Sequence, residues 1–261
     1  MAESIIRGLI SAKTVSKNNI IISDKDPVRL KQISKKYQVK AVEKNIDAAK
    51  AADVIILAVK PQVMNLVLSE LGGKLSSGQL VISIAAGITL KSLEKYLKKA
   101  PVIRVMPNNP CLIGEGIALI SAGTNVDEKD IMMAEKIFSS VGDTLRIDER
   151  HMNAVTGLSG SGPAFVYEMI DALADGGAEA GLPKDIASEL AKKTVMGSIK
   201  TVIKTKKSPE ELKAMVASPG GTTVAGLRVM EEGKFKETLS KAVVRASARA
   251  KEISEEFERS L

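Results

Sequence analysis

Apolar and polar positions follow two different patterns along this chain, and the change between them falls near residue 150. Before it, continuous apolar runs such as residues 20–22 and 52–59 are separated by segments whose apolar residues recur every three or four positions. Continuous runs predict strands covered on both faces, and the longer spacing predicts amphipathic helices. The pattern therefore predicts a Rossmann-like, doubly wound parallel sheet. Sheets of this kind often bind dinucleotides, so we predict a dinucleotide-binding domain over residues 1–150.

Small or polar turns follow the predicted strands. Further strands are expected at residues 39–42, 80–84, 102–106, 117–120 and 144–147. A doubly wound sheet binds its ligand at the carboxyl ends of the strands, so these turns are candidate positions for a dinucleotide. Any one of them alone is also an ordinary strand-to-helix turn. The candidate turns are Ser23-Asp24-Lys25, residues 58–62, residues 83–87 and residues 106–110.

The apolar spacing in the second half of the chain predicts helices only. Pro163, Pro183 and Pro209 each stand at the start of a helical pattern, a position that suits proline because the first helical N–H has no intrahelical partner. We assign residues 151–261 to a helical domain. Its last predicted helix, residues 235–259, is strongly charged towards its end, so we expect that tip to be solvated.

Two glycine-rich loops mark this half. The first, Ser159-Gly160-Ser161-Gly162-Pro163, allows a ligand or another chain to come close, and Ser161 or Gly162 can cap the helix that opens at Pro163. A helix start made tight for packing is the simpler interpretation of that motif alone. The second, Ser218-Pro219-Gly220-Gly221-Thr222-Thr223, predicts either a nest for a carboxylate or phosphate or an ordinary helix cap.

Composition narrows the class of protein. At 261 residues, with 44% apolar and 26% charged residues, the chain is typical of a globular protein. The lone Cys111 excludes an internal disulfide, which fits the cytoplasm, and we find no apolar run of membrane-spanning length and no signal peptide. The net charge of +7 is spread out and lacks interleaved aromatics, which argues against a nucleic-acid partner and suits an anionic substrate. One histidine, His151, and one cysteine argue against a His/Cys metal site.

The start of the chain departs from the usual dinucleotide fold. That fold begins with a strand followed by G-x-G-x-x-G, whereas here Met1-Ala2-Glu3 already lies at the start of the first predicted helix. The absent strand would be central in the sheet, and its loss leaves two rows of backbone groups without partners. We therefore expect a chain truncated at its N-terminus or a misplaced start.

Six motifs together resemble the pyrroline-5-carboxylate reductases. They are A-V-K-P-Q at 58–62, S-I-A-A-G-I-T at 83–89, R-V-M-P-N-N-P at 104–110, T-G-L-S-G-S-G-P-A at 156–164, D-A-L-A-D-G-G at 171–177 and S-P-G-G-T-T at 218–223. The resemblance implies reduction of 1-pyrroline-5-carboxylate to L-proline with NADPH or NADH. It also implies that the helical domain binds the substrate and interlocks into a homodimer, which in this family is often built into rings.

The resemblance also implies the residues of the site. It places the cofactor against Ser23, Asp24, Asn45, Ala58, Val59, Lys60, Pro61, Ala85 and Asn108. It places the substrate carboxylate on Ser218, Gly220, Gly221, Thr222 and Thr223, with Thr223 near the ring nitrogen as the catalytic residue. The glycine-rich loop of the family has no counterpart here beyond Met1 and Ala2.

Two other functions stay open at this point. A reductase of the 3-hydroxyacid dehydrogenase type shares the predicted architecture but usually needs a catalytic lysine on the first long helix after the junction, and residues 163–182 contain none. A truncated, non-catalytic paralogue would act as an interaction partner through its helical half. The cofactor choice is also open, because Asp24 favours a free ribose hydroxyl while Ser23 and Lys25 could receive a 2′-phosphate.

Overall fold

The computed structural model describes residues 1–260, and the chain divides into two compact units. Unit 1 combines Met1–Ser161 with the chain from Val244 onward, and unit 2 is Gly162–Val243.

Unit 1 alternates strands and helices. Its strands are β1 (Ile21–Ile22), β2 (Lys40–Ala41), β3 (Val54–Leu57), β4 (Leu80–Ser83), β5 (Val102–Pro107), β6 (Gly116–Ala122) and β7 (Gly142–Arg146). Its helices are α1 (Ala2–Ser11), α2 (Pro27–Tyr37), α3 (Asn45–Lys50), α4 (Pro61–Leu71), α5 (Leu90–Leu97), α6 (Glu128–Phe138) and α7 (Met152–Val155). Single 3₁₀ turns lie at Lys17–Asn19, Asn109–Ile113 and Glu149–His151, and a π-helical turn lies at Thr156–Gly160.

The main sheet has the order β3-β4-β5-β6-β7. Strands β3, β4 and β5 are parallel, and β6 and β7 are parallel to each other. Strand β6, however, runs antiparallel to β5, where a fully parallel sheet was expected. The reason is the short connection through the 3₁₀ turn and Gly114, whose φ of 81° turns the chain back. A parallel partner would need a longer crossover connection.

Strands β1 and β2 form a separate, two-stranded parallel sheet. Within residues 1–260, β1 pairs only with β2, and the outer edge of β3 has no strand beside it. Within the described residues, unit 1 therefore contains an interrupted doubly wound arrangement.

Apolar side chains cover both faces of the main sheet. On one face, Ile5 and Leu9 of α1 and Phe138 of α6 pack against Ile82 and Ile103. The other face carries a second cluster, formed by residues of α4 and α5 with the central strands; its members include Leu57, Leu68, Val81, Leu93 and Val102. Helices on both faces of a mostly parallel sheet confirm the Rossmann-like fold class.

The end of the last helix, α12 (Phe235–Arg259), belongs to the core of unit 1. Phe257 is only 7% exposed and packs in the α4–α5 cluster, and Ile253 lies against Gly87. The expectation of a solvated tip therefore holds for charged residues such as Glu258 and Arg259, which are exposed, but not for Phe257. Charged residues do flank this end, but they occupy the other face of an amphipathic helix, whose apolar stripe is buried.

Unit 2 is helical, and its helices bury little of their own apolar surface. They are α8 (Gly162–Glu179), α9 (Lys184–Thr205), α10 (Pro209–Val216), α11 (Thr222–Glu232) and the first part of α12. Helix α10 starts with the expected Ser208 cap, which forms a capping box with Glu211. The only buried residues among those described in unit 2 are Ala187 and Ala191. A membrane-crossing helix is not found in the described part of the chain.

Candidate active site

The carboxyl end of β1 carries a chain of polar side chains. Ser23 Oγ donates to Asn45 Oδ1 at 2.8 Å, and Asn45 Nδ2 donates to Glu70 Oε2 at 2.8 Å. The second oxygen of Glu70 accepts the backbone N–H of Ile46 at 3.1 Å. Helix α4 thereby holds the first turn of α3, which has no capping side chain from its own N-cap residue, Lys44. The predicted residues Ser23 and Asn45 are therefore in direct contact.

Asp24 lies next to this chain. Its Oδ1 accepts the backbone N–H of Asp26 at 3.0 Å, and its Oδ2 lies 3.9 Å from Arg29 Nε. Asp26 in turn caps α2 by accepting from Val28 and Arg29, which fixes the turn that follows β1. Lys25 is exposed.

The ends of β3 and β4 supply the next candidates. Ala58, Val59 and Lys60 connect β3 to α4, and Pro61 is the first residue of that helix. The N-cap residue of α4, Lys60, makes no capping hydrogen bond with its side chain. The N–H of Val63 donates to Lys60 O at 3.1 Å, and first-turn amides without such a backbone bond can face a ligand or solvent. Ala85 follows β4 and is buried, and its N–H donates weakly to Ser83 Oγ at 3.4 Å.

Asn108 lies at the carboxyl end of β5. Its Oδ1 accepts the backbone N–H of Ile117 at 3.0 Å, which ties the turn to β6. The neighbouring π-helical turn approaches the same strand end. A Cβ added to Gly160 would lie 2.6 Å from Met106 Cε, so a larger residue there would have to displace the end of the Met106 side chain. The side-chain oxygens of Asn153 and Ser159 are buried there without a hydrogen-bond partner in the described chain.

The start of α8 differs from the expected cap. Ser161 has αR geometry (φ −88°, ψ −29°), its N–H donates to Thr156 O at 2.9 Å, and α8 already includes Gly162. An N-cap residue has extended geometry, so Ser161 does not act as one. The π-helical turn replaces the cap because it carries the helical backbone onward from α7, and π turns are frequent at functional sites.

The loop before α11 lies in unit 2. Gly220 has φ +72°, and the N–H of Gly221 donates to Ser218 O at 3.0 Å. A Cβ on Gly221 would lie 2.5 Å from Ser218 Oγ and 3.1 Å from Ser218 O, so a larger residue would have to displace the Ser218 side chain. The N-cap of α11 is Gly221, and no side chain of residues 1–260 caps this helix. The ordinary side-chain cap that the sequence also allowed is therefore not formed by Gly221, and the first-turn amides at Thr222 and Thr223 are left for a ligand or solvent.

Comparison with known proteins supplies the remaining observation. A family profile described as pyrroline-5-carboxylate reductase dimerisation matches residues 149–253, and one described as NADP oxidoreductase, coenzyme F420-dependent, matches residues 1–87. A pyrroline-5-carboxylate reductase from Arabidopsis thaliana is 42% identical over 255 residues, which cover 98% of this chain and 92% of that protein. The chain belongs to the pyrroline-5-carboxylate reductase family.

Solved structures of pyrroline-5-carboxylate reductases agree with this assignment. The protein from Coxiella burnetii superposes with a TM-score of 0.88 at 36% identity, covering 97% of this chain and 94% of that one. The Plasmodium falciparum pyrroline carboxylate reductase, solved with NADP bound, gives 0.89 at 32% identity, with coverage of 96% and 93%. A prephenate dehydrogenase from Aquifex aeolicus, at 16% identity and a TM-score of 0.54, shares the fold alone.

Three residues near these strand ends were not predicted as site residues from the sequence. No sequence motif points to Glu70, because its hydrogen-bond partners lie 24 and 25 residues earlier in the chain. Arg104 and Glu149 form an ion pair at 3.1 Å. Arg104 did carry a signal, since it is the one charge inside the apolar run 102–106, which predicts a buried partner. Cys111 is a buried free cysteine.

Proposed function

We propose that this chain reduces 1-pyrroline-5-carboxylate to L-proline with NADPH or NADH, the last step of proline biosynthesis. The observation that carries the proposal is the uncapped start of α11 behind the Ser218–Gly221 turn, a place suited to a small carboxylate in a chain that belongs to this family. No cluster of three or more His, Cys, Asp or Glu side chains suited to a metal occurs among the described residues.

The residues of unit 1 fit a dinucleotide. In our proposal Ser23, Asp24 and Asn45 hold the adenosine ribose, and Ala58, Val59, Lys60, Pro61, Ala85 and Asn108 line the rest of the cofactor. The N-cap residue of α1 makes no capping hydrogen bond with its side chain. Ser4 in the first turn is 2% exposed, and its buried hydroxyl has no hydrogen-bond partner in residues 1–260. This orphaned buried hydroxyl, beside uncapped amides, suits a diphosphate.

The substrate is held by the loop of unit 2. Backbone amides at the start of α11, with Ser218, Gly220, Gly221 and Thr222, bind the carboxylate, and the partial positive charge of the helix terminus favours that anion. The Thr223 hydroxyl hydrogen-bonds to the ring nitrogen. The bound dinucleotide supplies the hydride for C5 of the iminium, and the electron pair of the C=N bond goes to nitrogen. The protein contributes orientation and charge stabilisation, with no covalent intermediate.

Turnover by the purified chain tests this function. We expect consumption of NADPH or NADH that depends on added pyrroline-5-carboxylate and yields an equal amount of proline. Thr223→Val removes the hydroxyl at nearly constant volume and should lower kcat/KM about ten- to hundredfold, the effect of one lost hydrogen bond to a charged group. Thr223→Ser should keep most of the activity. Unchanged turnover in Thr223→Val would remove Thr223 from the mechanism, and no proline from the parent chain would refute the function.

We propose a homodimer formed through unit 2, with rings of dimers as a higher assembly. Helices that bury only two alanines of their own cannot be stable alone, so their apolar faces need a partner. The family profile that matches residues 149–253 is named for dimerisation. The functional division is then residues 1–150 for the dinucleotide and residues 151–261 for substrate and dimerisation, in a cytoplasmic enzyme without nucleic-acid or membrane partners.

A further inference from the structure

Glu70 fixes the orientation of the Asn45 side chain. An ionised carboxylate can only accept hydrogen bonds, so the amide group of Asn45 that faces Glu70 Oε2 at 2.8 Å must be the NH₂ donor. The carbonyl oxygen of Asn45 then faces Ser23, which donates its hydroxyl proton at 2.8 Å. The backbone N–H of Ile46, bound to the other carboxylate oxygen, holds Glu70 in place.

The orientation of Asn45 determines which hydrogen bonds Ser23 can offer to a ligand. Its single proton is committed to Asn45, so towards a ligand its oxygen offers lone pairs and no donor. A ribose 2′-hydroxyl can donate to such an oxygen. A 2′-phosphate has nearly two negative charges at neutral pH and only acceptor oxygens, so it gains nothing from Ser23 in this state.

We propose that Glu70 is a positioning residue that sets the discrimination between the 2′-hydroxyl of NADH and the 2′-phosphate of NADPH. It acts through the polarity of the Glu70–Asn45–Ser23 chain, without touching the cofactor. The inference rests on the proposed function, because it takes Ser23 to face the adenosine ribose. The two neighbouring lysines, Lys25 and Lys44, are exposed and supply positive charge to either cofactor through solvent.

Glu70→Gln reverses this chain of hydrogen bonds. The carbonyl oxygen of the new amide keeps the Ile46 N–H, and its NH₂ group then faces Asn45. Asn45 must turn its carbonyl towards that donor and its own NH₂ towards Ser23. The hydroxyl of Ser23 is now an acceptor from Asn45 and is free to donate its proton to a phosphate.

The experiment measures dissociation constants of NADH and NADPH by fluorescence titration, without turnover. The preference for NADPH is the dissociation constant of NADH divided by that of NADPH. We expect Glu70→Gln to raise this ratio on the order of tenfold. Asp47→Asn is the matched control, because it removes one exposed carboxylate from α3, whereas the side chain of Asn45 hydrogen-bonds to Ser23 and Glu70. It should change the ratio less than threefold or so, since an exposed charge is screened. Thermal unfolding checks that each variant is folded.

The double variant Ser23→Ala/Glu70→Gln completes the test. Without the hydroxyl, Glu70→Gln should shift the ratio no more than Asp47→Asn does, because the reversed chain then ends at a methyl group. Equal ratios for Glu70→Gln and Asp47→Asn, with Ser23→Ala still weakening NADH binding, would overturn the role of Glu70 and leave the proposed function intact. Constants for both cofactors that Ser23→Ala leaves unchanged would overturn the placement of the ribose, and the role of Glu70 with it.

Discussion

Arg104 on β5 and Glu149 in the 3₁₀ turn before α7 form an ion pair, with Arg104 Nη1 3.1 Å from Glu149 Oε1. The arginine side chain is 3% exposed and the glutamate side chain 29%. Glu149 Oε1 also accepts the backbone N–H of Leu90 at the start of α5. Burial lowers the pKa of the Arg104 guanidinium, and the hydrogen bond to Glu149 opposes that shift. A central strand, a helix start and the turn into α7 are thus joined at one carboxylate.

Glu149→Gln should lower the free energy of unfolding by about 2–4 kcal/mol, because it leaves the buried guanidinium without a countercharge. The partial exposure of Glu149 places the loss at the lower end of what buried pairs show. Urea denaturation measures it. Glu128→Gln is the matched control: it breaks the exposed pair with Arg146 and should cost less than about 1 kcal/mol. Equal losses of unfolding free energy in the two variants would show that the buried Arg104 pair contributes no more to stability than the exposed Arg146 pair.

Gly87→Ala should destabilise unit 1 by about 2–4 kcal/mol. Gly87 has φ +76°, which strains any residue with a Cβ, and that Cβ would lie 2.5 Å from Ile253 Cγ2 on α12. Combining Gly87→Ala with Ile253→Ala should cost less than the sum of the single variants, because the second change removes the clash. Strict additivity in a double-mutant cycle by thermal or urea unfolding would argue against this contact.

Ile203→Glu should break the proposed homodimer. Ile203 on α9 is 68% exposed in the single chain and continues an apolar stripe with Met196 and Ile199. A charge in an apolar interface is left without a partner, so we expect a lower mass by light scattering at micromolar concentration. Thr201→Glu introduces the same charge on the opposite side of α9 and should leave the mass unchanged. A dimer that survives Ile203→Glu would exclude this stripe from the interface.

Stability should fall in acid partly through Glu3. Hydrogen bonds from Lys36 Nζ and Tyr37 Oη, both at 3.0 Å, lower the pKa of Glu3. A carboxyl whose pKa is lowered in the folded state stabilises it above the unfolded pKa, about 4.3 for Glu, and that contribution is lost as the pH falls through the folded pKa. Glu3→Gln should therefore be less stable than the parent at pH 7, and the difference should shrink below pH ~4. Parallel melting-temperature profiles would contradict this.

The elements of unit 1 could largely be predicted from sequence, because apolar runs and helical spacing are local properties. The runs at 52–59 and 102–106 became β3 and β5. The direction of β6 was not predictable from its own residues. It depends on the length of the connection that precedes it and on which edge of β5 is free.

Among the candidate residues, those on glycine-rich turns could be named from the chain, since Gly220 has φ +72°, a backbone conformation that residues other than glycine rarely adopt. Spacing along the chain alone does not bring Glu70 to Asn45 or Glu149 to Arg104, because these contacts span 25 and 45 residues. The burial of Phe257 and Ile253 near the charged end of α12 could not be predicted either. It depends on contacts with the α4–α5 cluster and with Gly87, which lie far away in the sequence. Local propensity determined the elements, and packing between distant segments decided which polar groups meet.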